Sequence, residues 1–152
     1  MRVLAIDPGT TQSGYAHMED GRVIDSGILD NDELLSYLQG SDADASLAIE
    51  MIASYGMAVG KEVFETCVWI GRFMQMWQTS NKPATLIYRR DVKLHLCGSV
   101  RAKDANIRQA LIDKLGPQGT KKEPGPTYGV KSHAWAALAV AVTFAETKKD
   151  VS

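Results

Sequence analysis

Two cysteines in 152 residues, no stretch of apolar residues long enough to cross a bilayer and no internal repeat are what this chain lacks. Cys67 and Cys97 sit in apolar or helical patterns without the CxxC spacing of a zinc site, so they read as buried free thiols. That excludes a disulfide scaffold and a zinc ribbon. The apolar run near the N-terminus, Val3 to Ile6, is too short for a secretion signal, and the expectation is a soluble, cytoplasmic protein with no membrane partner. With 45% hydrophobic residues and no low-complexity segment, one domain covering residues 1–152 is expected. Net charge is scarce too, at −1.

The small net charge conceals segregation. Residues 1–80 carry four basic residues against twelve acids, a balance of −8, while residues 81–131 carry eleven against four, a balance of +7. A basic block of this kind suits a polyanion such as a phosphate backbone; the alternative is a set of ordinary solvated helix faces.

Hydrophobic patterning predicts alternating strands and helices. Strands are expected over Arg2 to Asp7, Ser13 to Met18 and Arg22 to Leu29, the last two joined by Glu19-Asp20-Gly21, whose Asp-Gly pair signals a hairpin. Asp30 or Asn31 can cap a short helix carrying Leu34, Leu35 and Leu38 and ending at Gly40. Ser46 to Glu50 reads as a fourth strand and Ala84 to Tyr88 as a fifth. Lys61 to Gln78 has helical periodicity, as do Asp91 to Leu96 and Asp104 to Leu115, and Ser132 is placed to cap a final Ala-rich helix reaching Thr147. Ile52 to Gly60 reads as a mobile loop, and Gly116 to Tyr128, with three prolines and three glycines, as a surface loop.

Two acids stand out in this layout. Asp7 closes a continuously apolar strand just before the Pro8-Gly9 turn, and Glu50 repeats that placement at the end of the fourth strand. If the two strands run parallel side by side, both acids emerge at the carboxyl edge of the sheet, where open α/β folds place their sites. A half-buried carboxylate needs a partner, and a divalent cation is one of the few that offset its burial; an Asp that only caps the turn is the competing reading.

Three antiparallel strands followed by helix, strand, helix, strand and helices is the order of a ribonuclease H-like domain: α/β, with a mixed five-stranded sheet flanked by helices. Within that order AIDPGTTQSGYA resembles the first motif of the RuvC family of Holliday junction resolvases, LAIE its second, and VKSHAWAALAVAV its final helix motif. The loop ending GPTYGVKSH is closer to short phage or prophage relatives. The resemblance implies a homodimeric endodeoxyribonuclease that cuts opposed strands of a four-way DNA junction. It also implies Mg²⁺ or Mn²⁺, two ions per site about 3.5–4 Å apart, and no small-molecule cofactor. By the same resemblance Asp7 bridges the metals, Glu50 holds one of them and His133 supplies a third ligand, with a histidine of structural role as the alternative. Where relatives commonly carry a further acid, this chain has Ala136. Either that residue is an introduced substitution or the chain manages without the acid; a catalytically weak junction-binding protein is the corresponding alternative function.

Charge stabilisation at the reacting phosphate is assigned to Lys103 or Arg101, with Lys93 next, and backbone contacts to Arg89 and Arg90. Lys121, Lys122 and Lys131 flank the Pro/Gly loop and are expected to grip phosphate as it orders on binding. Tyr55, with Met57 nearby, is expected to stack on bases at the junction centre, as family relatives use an aromatic there; loop packing is the alternative for Tyr55. Surplus apolar side chains among Phe64, Trp69, Phe73, Met76 and Trp77 suggest a dimer interface. The stretch DPGTTQS also resembles the phosphate-binding turn of actin-like ATPases and sugar kinases, in which the amides of Gly9 to Thr11 would cradle phosphate. Those proteins need two such domains.

Overall fold

The computed structural model describes residues 1–41, 44–79 and 82–148. Strands β1 (Arg2–Asp7), β2 (Gln12–Glu19) and β3 (Arg22–Asp30) form the antiparallel part of a five-stranded sheet. Helix α1 (Asn31–Gln39), β4 (Ser46–Met51), α2 (Lys61–Gln78), β5 (Thr85–Tyr88), α3 (Arg89–Cys97), α4 (Asp104–Leu115) and α5 (His133–Thr147) follow. The sheet order is β3-β2-β1-β4-β5, with β4 parallel to both β1 and β5. This is the expected α/β architecture, and each strand lies within a residue or two of its predicted limits.

Strand alternation decides which residues meet. In β1, Val3 and Ala5 join one core while Leu4 and Ile6 join the other; in β4, Ala48 faces the first and Leu47 and Ile49 the second. The first face is small: Ala5, Ala16 and Ala48 lie under α5, which contributes Ala134, Ala137, Ala139 and Ala141 to that core. Small residues on both surfaces bring the helix close, which is why α5 packs on β1, β2 and β4 together. The second face is bulky, Leu4, Ile6, Leu47 and Ile49 being covered by Leu34 and Leu38 of α1 and by Ile70, Phe73 and Trp77 of α2. Asp7 follows Ala5, and Glu50 follows Ala48, at a spacing of two, so both carboxylates belong to the face that α5 covers.

Three local expectations need correction. Ser132 precedes α5 but makes no side-chain cap; its backbone has φ 50 and ψ −130, a left-handed turn that swings the chain into the helix. Asp30 does not cap α1 either, because its carboxylate accepts from Gln12 Nε2 at 3.2 Å, and Asn31 is instead buried. Residues 116–128 are already built: a bridge pairs Gly119 with Pro124, and buried Thr127 donates to the Gly116 carbonyl at 2.9 Å. Gly125 is needed there because a Cβ would fall 2.0 Å from the Pro117 carbonyl oxygen. Lys121 and Lys122 therefore ride on a preformed hairpin rather than on a loop awaiting order. The cysteines are free but half-buried.

Among the described residues no helix is long and apolar enough to cross a membrane.

Candidate active site

The β1–β4 register pairs Ile6 with Ile49, so Asp7 and Glu50 stand side by side at the carboxyl edge of the sheet. Their carboxyls are within hydrogen-bonding reach of each other. His133, the first residue of α5, brings Nδ1 to 3.0 Å from Asp7 Oδ2. Gly14 makes that approach achievable. It is the β2 residue paired with Asp7, and a Cβ there would lie 2.5 Å from the His133 carbonyl oxygen. The missing side chain seats the start of α5 directly against the strand that neighbours Asp7.

Burial separates the roles. Asp7 and Glu50 side chains are only 15% and 11% exposed, whereas His133 is 72% exposed. Burial pushes the Glu50 carboxyl up to about 8, and its hydrogen bond and repulsion with Asp7 act in the same direction. Burial raises Asp7 as well, while its hydrogen bond to Glu50 works against the rise. Burial thus favours the neutral form at both carboxyls, most strongly at Glu50.

Arg89 completes the centre. It opens α3 directly after β5, and the pairing of Met51 with Tyr88 sets it beside the end of β4. Its Nη1 is 3.4 Å from Glu50 Oε1, and its Nη2 contacts Asp104, the first residue of α4. A cleft of about 630 Å³ gathers these groups, lined by Asp7, Glu50, Arg89, Asp104, Arg108 and His133, with Ser132, Trp135 and Ala136 in its wall. Hard carboxylate oxygens suit Mg²⁺ or Mn²⁺, and the repulsion between two crowded acids is what a divalent cation relieves. Among the described residues no three His, Cys, Asp or Glu side chains close round one point as they stand. The positive charge between Glu50 and Asp104 comes from Arg89.

Arg89, expected on the DNA backbone, is bound into the acidic centre through Glu50 and Asp104. Asp104 and Arg108 were not singled out, although both line the cleft. An acid at a helix N-terminus satisfies the helix dipole, so Asp104 looked locally accounted for. Lys103 precedes it, exposed, with its backbone N–H donating to Asn106 Oδ1 at 2.9 Å, and neither Lys103 nor Arg101 lines the cleft. Arg90 and Lys131 are exposed and Lys93 half-buried, also away from its lining. Tyr55, 62% exposed, shares a smaller cleft with Asp7, Glu50 and Arg89. It and Gly56 take positive φ in a turn closed by the Met57 N–H to the Ser54 carbonyl at 2.9 Å; Met57 is 70% exposed beyond it.

The Pro8–Gly14 turn is locked from beneath. The Gly9 N–H donates to Ser13 Oγ at 3.1 Å, Ser13 Oγ to Asn31 Oδ1 at 2.6 Å, and Asn31 Nδ2 to the Gly9 carbonyl at 3.0 Å. With its Gly9 amide engaged in this way, the turn lacks one of the donors that the kinase-like phosphate cradle requires.

No family model and no curated protein sequence matches the chain. Solved structures do. RuvC from Thermus thermophilus superposes with a TM-score of 0.67 at 20% identity, covering 95% of this chain and 93% of that one. A T. thermophilus RuvC in complex with Holliday junction substrate gives 0.70 at the same identity and coverage. The fold is that of RuvC. A ROK hexokinase from T. thermophilus reaches only 0.38, at 10% identity over 68% of this chain and 40% of that one.

Proposed function

We propose that the chain is a metal-dependent endodeoxyribonuclease acting on branched DNA, with four-way junctions as its substrate and paired nicks as its product. The observation that carries this reading is Asp7 at the carboxyl edge of a RuvC-type sheet with Glu50 on one side and His133 against it, in a cleft that also holds two arginines. Bound Mg²⁺ or Mn²⁺ supplies the Lewis acidity and the activated water that phosphodiester hydrolysis needs. Asp7 and Glu50 are the residues that would hold it, each as an ionised carboxylate. His133 adds an exposed imidazole beside Asp7, able to complete the donor set. Arg89 and Arg108 place positive charge along the cleft, where the charge developing on the phosphate is stabilised. Tyr55, at the mouth of the adjoining cleft, offers a stacking face to an unpaired base.

The outer face of α2 fits a second copy of the chain. Phe64 and Val68 are both 62% exposed one turn apart, and Gly71 lies in open space on the same stripe. A two-fold dimer through this face would supply the second centre that paired nicking requires.

A second reading, a junction-binding protein with little cleavage, is favoured by Ala136. Its methyl lines the cleft, and Arg89 already neutralises part of the acid pair. The deciding experiment is nicking of a synthetic four-way junction and of a linear duplex in Mg²⁺ and Mn²⁺, with Ala136→Asp alongside. The nuclease reading expects junction-selective nicks from the parent chain. Nicks from Ala136→Asp alone support the second reading, and none from either contradicts the first.

A further inference from the structure

Two clefts of different chemistry share Asp7 and His133 as a common wall. One contains Arg89 and Arg108. The other, about 530 Å³, is lined by residues Pro8 to Gly14 and by Ile28, with neither Lys nor Arg. A strand whose phosphate sits at Asp7 continues on both sides of it. Phosphates seek cations, so the backbone belongs with the arginines. The second cleft offers no Lys or Arg and has the Asp7 carboxylate in its wall, which disfavours another phosphate and leaves the neutral parts of a nucleotide, its base among them.

The wall of this second cleft suits that occupant. Thr10, Thr11 and Gln12 bring hydroxyl and amide groups that pair with base edges, and Ile28, 40% exposed, offers an apolar contact. The Gln12 amide is oriented by Asp30 at 3.2 Å. The turn cannot sag, because Asn31 and Ser13, 1% and 2% exposed, hold the Gly9 peptide on both sides and the Asn31 N–H binds the Thr11 carbonyl at 2.8 Å. A preformed wall loses little entropy when a ligand enters, which favours discrimination between similar ligands.

We propose that this cleft without lysine or arginine is a nucleobase subsite for the nucleotide next to the scissile phosphate, and that Thr10, Thr11 and Gln12 set the base preference at the cut. The proposal rests on the nuclease reading. Its test is a four-way junction library randomised around the branch point, incubated in Mn²⁺ with the parent chain, Thr10→Val and Gln12→Ala, the nick positions being sequenced. The expected result is a preference at one position flanking the nick that each variant shifts or flattens by about three- to tenfold. Nicking without base preference, or variant profiles that superimpose on the parent's, overturns the subsite.

If the parent chain does not nick, the nuclease reading fails, and a second measurement still decides the subsite. A junction carrying 4-thiothymidine at the branch point is photocrosslinked to the intact protein and the attached peptide identified. Attachment within Val3 to Arg22 supports the subsite, whereas attachment elsewhere alone rules it out.

Discussion

The acidic centre and the basic flank answer different demands. Asp7 and Glu50 are fixed by strand register, Gly14 and the Asn31–Ser13 lock, whereas Lys121 and Lys122 stand exposed at the tip of a hairpin. Chemistry at a phosphate needs reacting groups placed to a fraction of an ångström, while holding a polyanion needs only charge nearby. On the proposed function the sheet edge serves the first need and the surface the second, so substitutions in the two regions should fail in different ways.

The largest effect on folding is expected at Gly14. In Gly14→Ala the new Cβ meets the His133 backbone, so α5 must lift from β2 at a cost of about 1–3 kcal/mol, with nicking lost. Urea denaturation measures the first and junction nicking the second; full stability with full activity would show that the close approach is not required.

Next comes the pH response of the centre. Glu50 moves from 4.5 to about 8 on folding, so between those values the native state holds more proton than the unfolded chain. Stability contributed at low pH is therefore lost as pH rises through about 8, and the raised Asp7 adds to the same trend. Melting curves recorded without divalent cation should show Tm falling across that window in the parent chain and a flatter profile in Glu50→Gln. An equally steep fall in that variant would place the proton elsewhere.

The smallest effect belongs to the flank. Lys121→Gln with Lys122→Gln should leave Tm unchanged and weaken junction binding, with the slope of log affinity against log salt lower by about 2. An unaltered slope means that the hairpin does not touch the backbone.

How much of this was legible follows the same division. The strands could be read because β1 and β4 are buried on both faces, and the acids because each ends such a run in phase with a small residue, Ala5 or Ala48. Nothing local marked Arg89 or Asp104. Their place beside Glu50 depends on the β4–β5 register and on where α4 starts, both tertiary facts, and each residue had an ordinary surface explanation. Lys103 illustrates the converse: one residue before Asp104, it looked equally placed, yet it lies outside the cleft lining. The left-handed Ser132 was hidden by its resemblance to a cap, since serine before a helix usually accepts a hydrogen bond there.

The central claim is that Asp7 and Glu50 form a cutting centre separate from the surface that binds DNA. The most direct measurement is junction nicking in Mg²⁺ beside junction affinity for Asp7→Asn and Glu50→Gln. The account predicts nicking reduced by at least about a hundredfold in each, with affinity within a few-fold of the parent chain. Parental nicking rates in either variant would contradict it.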